Sequence, residues 1–303
     1  MKCLLIGTLF LVNLSWASFP LVKVDNISGT YSDKKGKAFA EHASYDLDVV
    51  KIDHKNIEVE FNNLEGNLVL NDPNTTVEIN FDFSFLNVFR TIAFSGVNIA
   101  STDKEFISGM NQLKVYIEPT EYVLEEVELS SDITGISGDV KDVSILEGII
   151  ANGDLGVKTI SFGPIDSSKF RNLILEENPN HTKEAMKKFP ANESFNSIPV
   201  TGRNLRVVCK DESFSGSLLL DSWINTWFYF GGKVENDQEA KKLYIDLYKA
   251  KIGIFSVRGL ALRMIKDLNL ESVSVEGNRI IVDFGETSRL GSNNSKQSIT
   301  AKH

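Results

Sequence analysis

The dominant period along the chain is two. Val77-Glu78-Ile79-Asn80-Phe81-Asp82-Phe83-Ser84-Phe85 puts every apolar side chain at alternate positions, and Ile57-Glu58-Val59-Glu60-Phe61, Leu243-Tyr244-Ile245-Asp246-Leu247 and Val273-Ser274-Val275-Glu276 alternate in the same way. Successive strand residues point to opposite faces of a sheet, so each segment predicts a strand with one buried side. Asn71-Asp72-Pro73-Asn74 and Glu276-Gly277-Asn278 carry turn residues between such runs. The expected product is an antiparallel meander. Helical periodicity is sparse. Between Val257 and Leu268, the residues Leu260, Met264, Ile265 and Leu268 share one helical face. Shorter helices are expected over Thr182 to Lys188, ended by Pro190, and over Asp142 to Ile150.

The pattern is echoed within the chain. Asn56-Ile57-Glu58-Val59-Glu60-Phe61 returns as Asn204-Leu205-Arg206-Val207-Val208-Cys209, and Leu64 to Leu70 returns as Phe214 to Leu220. Val115 to Glu125 reads like Val273 to Asp283. A duplicated β-rich unit accounts for the common order, and so does the general likeness of amphipathic strands. The fold class expected is mainly β (α+β): curved antiparallel sheets from two related halves, with one or two helices on the inner face. The expected divisions are a leader at 1–17, a first half at 18–130, and a connector with strands and a polar loop at 131–200. A second half with its helix follows at 201–285, then a tail at 286–303 without apolar period that is expected to be disordered.

Lys2, the apolar run Cys3 to Val12 and the small-residue site Ser15-Trp16-Ala17 form the pattern of a secretory signal peptide cut after Ala17, an uncleaved anchor being the alternative. The localisation expected is secreted, in a bacterial periplasm or on an outer surface. Cleavage leaves Cys209 as the one cysteine, so a buried apolar thiol is expected there and no intramolecular disulfide. The formal charge is −9 with no basic block. Nucleic acid is therefore excluded as a partner, since it would demand a stripe of cations.

Catalytic chemistry finds little support. His42, His54 and His181 show no metal-ligand spacing, Gly135-Ile136-Ser137-Gly138 lacks the spacing of a nucleophile elbow, and no phosphate-cradling loop ends in Lys-Ser/Thr. Asp46, Asp48 and Asp53, or Glu118 and Glu121, could supply the carboxylates of a glycoside hydrolase. Alternating carboxylates are more commonly a solvated sheet face. The expectation is a protein that is no enzyme and needs no cofactor and no metal.

One segment stands out. In Ser222-Trp223-Ile224-Asn225-Thr226-Trp227-Phe228-Tyr229-Phe230, an extended chain sends Trp223, Trp227 and Tyr229 to one face and Ile224, Phe228 and Phe230 to the other. Both faces are apolar, so both need cover: core on one side, and a helix, partner or ligand on the other. The glycine-leucine strands of each copy, followed by Ala250 to Val257, a helix, and Val273 to Val282, resemble bacterial periplasmic lipid-handling proteins of the tubular lipid-binding type, and more distantly AsmA-like β-groove proteins. The resemblance implies an apolar channel that holds an amphiphile and carries no catalytic set. The function expected is binding of a lipid or other apolar ligand in a groove between sheet and helix, lined by Phe81, Phe83, Phe85, Trp223, Trp227, Phe228 and Tyr229. The alternative is an envelope or surface module that recognises protein or glycan.

Overall fold

The computed structural model describes residues 21–33, 35–47, 50–62, 65–72, 75–82, 90–102, 104–117, 120–132, 145–163, 167–189, 200–221, 225–237, 239–240, 242–267, 272–283 and 300–301. Its elements are β1 (Leu21–Ser32), β2 (Lys35–Leu47), β3 (Val50–Asn62), β4 (Glu65–Asp72), β5 (Thr75–Asp82), β6 (Thr91–Ser101), β7 (Glu105–Ile117) and β8 (Thr120–Asp132). Helix α1 (Ile145–Asn152), β9 (Gly153–Gly163), α2 (Ser167–Glu177), a 3-10 turn (Pro179–His181) and α3 (Thr182–Lys188) follow. The chain goes on through β10 (Val200–Lys210), β11 (Ser213–Leu220), β12 (Thr226–Asp237), β13 (Lys242–Ile252), β14 (Phe255–Ser256), α4 (Arg258–Lys266), β15 (Val273–Glu276), β16 (Arg279–Asp283) and β17 (Thr300–Ala301).

The protein is mainly β, built as one large, curved, open antiparallel sheet, with four α-helices among the described residues. Its strands run in the order β5-β4-β3-β2-β1-β6-β7-β8-β9-β10-β11-β12-β13-β16-β15, with β17 beside β5 and β14 folded back on the end of β13. The chain departs from a simple meander where β1 lies between β2 and β6, and again where β16 lies between β13 and β15. β9 pairs with β8 on one side and β10 on the other, so pairing continues without a break from residues before 131 to residues after 200.

A transverse crease gives the sheet its bend. In the ladders, Glu41 across from Asn56, Asn26 across from Glu41, Asn111 across from Glu126, and Lys158 across from both Glu126 and Asn204 all drop out of pairing, while the register on either side is unchanged. Along this row Asn26, Asn56, Gly96, Glu126 and Asn204 are left-handed, with φ of 53°, 55°, 63°, 49° and 54°. A one-residue slip normally sends every following side chain to the opposite face. Here each strand gives up one residue at the same row, so the apolar set changes parity and stays inside. β8 buries Tyr122 and Leu124 before the crease and Leu129 and Ser131 after it; β10 buries Val200 and Gly202, then Leu205 and Val207. The asparagines that open the echoed segments, Asn56 and Asn204, share this conformation, and Asn26 does too. The geometry thus belongs to the crease as much as to any repeat.

The helices cover the apolar face. α1 lies against β8, β9, β10 and β12, and α4 lies against β13 and β15. Of the face expected for α4, Leu260 and Ile265 are buried and Met264 is partly so, while Leu268 lies outside the described residues; Ala261 and Leu262 are buried as well. Helix α2, which the sequence reading did not anticipate, sends Phe170, Leu173 and Ile174 to the core. Phe189 sits edge-on to Phe170 and Phe255, with ring centroids 5.9 and 5.4 Å apart. Among the described residues no helix is long and apolar enough to cross a membrane.

Candidate functional site

The bend leaves a trough on the face of the sheet opposite the core. It encloses about 1040 Å³ and takes residues from β1, β6, β7, β8, β9, β10, β11 and β12. Eight strands at a spacing of about 4.8 Å give it a length of roughly 34 Å across the sheet. Crease residues Glu126, Lys158 and Asn204 form part of its wall. Small residues, Ala100, Gly109, Ser130, Gly156 and Ser217, make up its floor. A Cβ added to Gly156 would meet nothing within 4 Å, so the space above this strand is open.

The polar side chains of the trough are largely paired with one another. Lys158 Nζ donates to Glu126 at 2.6 Å, and the Arg206 guanidinium donates to both oxygens of Asp154 from Nε at 3.1 and 3.2 Å. At the β1 end, Lys23 lies 3.0 Å from Asp25, and His42 bridges Asp25 to Asp53 with contacts of 3.2 Å at Nδ1 and 3.0 Å at Nε2. Hydrogen bonds from Lys23 and His42 hold the Asp25 carboxyl below its ordinary value. Of the seven charged lining residues, Lys23, Lys158 and Arg206 face Asp25, Glu126, Glu128 and Asp154. The charges nearly cancel, and the lining sets these groups among apolar residues, Ile99, Ile107, Leu129, Val157 and Leu205.

Trp227 closes the β12 end of the trough and is 39% exposed. Tyr229 stacks on it, with ring centroids 6.1 Å apart and planes within 23°. Phe228 points the other way, into the core, where it stacks on Phe230 at 5.3 Å. The extended aromatic run therefore has the two faces its alternation predicts. It divides the residues expected to line one ligand site: Trp227 and Tyr229 go to the open face, and Phe228 goes to the core. Phe81 stands in β5 across from Gly66, and Phe83, Phe85 and Trp223 lie outside the described residues.

Other chemistry is thin. Cys209 is free, and burial, with help from Asp154, pushes its thiol up to about 11, which makes it a poor nucleophile. Among the described residues no group of three or more His, Cys, Asp or Glu is placed to hold a metal. A second, smaller cavity of about 570 Å³ lies by α4 between Arg258, Arg263, Lys266 and Asn278. The Glu177 carboxylate there already accepts the N–H groups of Gly259 and Leu260 at the helix start.

The trough residues Glu126, Asp154, Gly156, Lys158 and Arg206 were not singled out from sequence. Their one local signal is the broken alternation at Glu125-Glu126 and Arg203-Asn204, where two polar residues follow one another inside a strand. No family model, curated protein or solved structure matches the chain.

Proposed function

We infer that this chain is a non-enzymatic binding protein and that the trough holds a neutral, hydroxyl-rich polymer, a glycan segment, with Trp227 stacking on a sugar ring. The observation that carries this reading is the half-exposed Trp227 at the end of a long trough that sets paired charged and polar side chains beside apolar ones such as Ile99 and Ile107. An aromatic face takes the apolar face of a sugar while donors and acceptors beside it take the hydroxyls. A peptide that added itself as a strand would need a free sheet edge. The trough is a sheet face, and its recognition must come from side chains. Three cations against four carboxylates give no attraction for a polyanion.

The test is calorimetric titration of the full chain with a panel of neutral oligosaccharides. Binding that falls at least tenfold in both Trp227→Ala and Gly156→Gln, with the thermal midpoint kept, supports the reading. The second variant adds a side chain to open space and leaves Trp227 untouched. No saccharide bound, or affinity indifferent to both changes, overturns it.

An apolar ligand is the second reading, and it keeps the expectation that follows from the resemblance to tubular lipid-binding proteins. It is favoured by the continuity of Trp227 and Tyr229 with further exposed apolar side chains at the same end, Tyr248 and Ile254. Extraction of the purified protein with organic solvent, followed by mass spectrometry, separates the two readings: a stoichiometric acyl lipid supports the second.

A further inference from the structure

The most exposed large apolar side chain among those described, Ile254 at 61%, sits in the tight turn between β13 and β14. The turn is fixed. Gly253 is left-handed, with φ of 58°, and its N–H donates to the Trp227 carbonyl at 3.1 Å, which ties the turn to the start of β12. Behind Ile254, on the strand leading to it, Lys251 stands across from Tyr229 and Lys249 across from Gly231. Lys249 Nζ lies 6.0 Å from the centre of the Tyr229 ring. Tyr248 is the extra residue of a bulge between Gly231 and Gly232, and it is 56% exposed. No carboxylate among the described residues pairs with Lys249 or Lys251.

We propose that this end of the sheet docks on a lipid surface rich in anionic headgroups, with Ile254 entering the acyl boundary and Lys249 and Lys251 at headgroup level. The order of chemistry along the strand matches the order of a bilayer surface. Ile254 stands at the tip with Trp227 beside the turn, Lys251 is level with Tyr229, and Lys249 and then Tyr248 follow along the strand, so amphipathic rings and long-stemmed cations share the level just behind the apolar tip. The formal charge of −9 argues against a general attraction to such a surface. Screening confines electrostatics to about 10 Å, so two unpaired lysines beside the tip outweigh carboxylates elsewhere on the chain. A second copy of the chain is a poorer occupant, because two cationic ends would face each other. The docking shares Trp227 with the end of the trough and rests otherwise on Ile254, Lys249 and Lys251, none of which lines it.

Flotation of the full chain with vesicles of phosphatidylcholine and phosphatidylglycerol in equal parts, against phosphatidylcholine alone, reads the proposal out. The chain is expected to float with the mixed vesicles and not with the neutral ones. Ile254→Ser lowers partitioning about tenfold, and Lys249→Gln and Lys251→Gln lower it about fivefold each. All three positions are exposed, so the variants keep the parent's thermal midpoint. Gly156→Gln floats like the parent, which separates failure here from failure of the trough reading. Absence of flotation overturns the proposal, and so does flotation that Ile254→Ser leaves unchanged. Equal binding to soluble dextran sulfate, insensitive to Ile254→Ser, marks a general polyanion site and overturns it too.

Discussion

The side-chain amide of Asn178 grips the backbone of Ser256 at two points: Nδ2 donates to the Ser256 carbonyl at 2.7 Å, and Oδ1 accepts the Ser256 N–H at 2.8 Å. The same Nδ2 donates to the Ile174 carbonyl at 2.8 Å, so the end of α2 and the short β14 share one buried amide. Glu177, one residue earlier, caps α4 by accepting from Gly259 and Leu260. Val257, at the N-cap position of α4, makes no side-chain cap of its own. Two consecutive residues thus fasten α2 to β14 and to the start of α4.

Replacing Asn178 by Ala leaves both Ser256 groups and the Ile174 carbonyl without this partner. We expect a loss of about 3 kcal/mol in a denaturant melt, with new proteolytic cuts in α2 and α3 appearing before the sheet is attacked. Asn178→Asp still accepts the Ser256 N–H but sets a carboxylate oxygen against the Ser256 and Ile174 carbonyls, so it is expected to cost at least as much as Ala at neutral pH.

The two faces of β12 predict opposite costs. Phe228→Ala removes a core aromatic and is expected to destabilise by about 3 to 5 kcal/mol. Trp227→Ala, on the open face, is expected to cost less than about 1 kcal/mol. Urea unfolding of the two variants side by side checks this; equal costs would place Trp227 in the core.

The turn between β10 and β11 holds Asp211 and Glu212 at φ of 48° and 61°, joining the pair Lys210 and Ser213. Both central residues of such a turn are left-handed, a conformation that costs a side-chain-bearing residue roughly 1 kcal/mol. Glu212→Gly is therefore expected to raise stability by about 1 kcal/mol in thermal denaturation, since the backbone bond from Val234 to the Glu212 carbonyl is kept.

Asp246 receives two bonds from Arg279, at 2.8 and 2.7 Å, and these hold its carboxyl below the ordinary 3.8. A depressed folded-state value means that the stabilisation is complete above pH 3.8 and is lost as pH falls through the lower folded value. In Asp246→Asn, the drop in melting temperature between about pH 5 and pH 2 should be shallower than in the parent. An unchanged slope would show that the pair does not survive in solution.

Cys209 should react with a thiol reagent at neutral pH far more slowly in the native protein than in urea, because its thiol is pushed up to about 11 and is partly covered. A native rate equal to the denatured rate would show that β10 opens freely.

Much of the sheet is legible because alternation carries it: the strands around Ile57, Leu243 and Val273 appear where the pattern puts them. The Gly277-Asn278 turn also forms as expected, with Gly277 left-handed between the paired Glu276 and Arg279. Helix α2 was hidden by its charges. It has no acid in its first turn and no base in its last, and it ends on Glu176-Glu177, which opposes the helix dipole. The compensation is distant: Arg263 takes Glu176, and the start of α4 takes Glu177. The crease was hidden for another reason. Gly96 and the asparagines Asn26, Asn56 and Asn204 are residue types that accept such a backbone, but each sits inside a run that otherwise reads as strand, and Glu126 carries no such signal. The trough draws on eight strands, and each one looks like an ordinary solvated sheet face until the bend turns those faces toward one another.

The placement of β1 has a consequence for how such a chain can change its size. Ser32, at the end of β1, is paired with Thr91, at the start of β6, so the path through β2, β3, β4 and β5 leaves and returns to the same point. Those four strands are an excursion that can be shortened, lengthened or excised, with Ser32 joined to Thr91 by a tight turn, while every pairing from β6 to β15 is kept. The breadth of this sheet is therefore a variable that insertion or deletion of whole hairpins can tune.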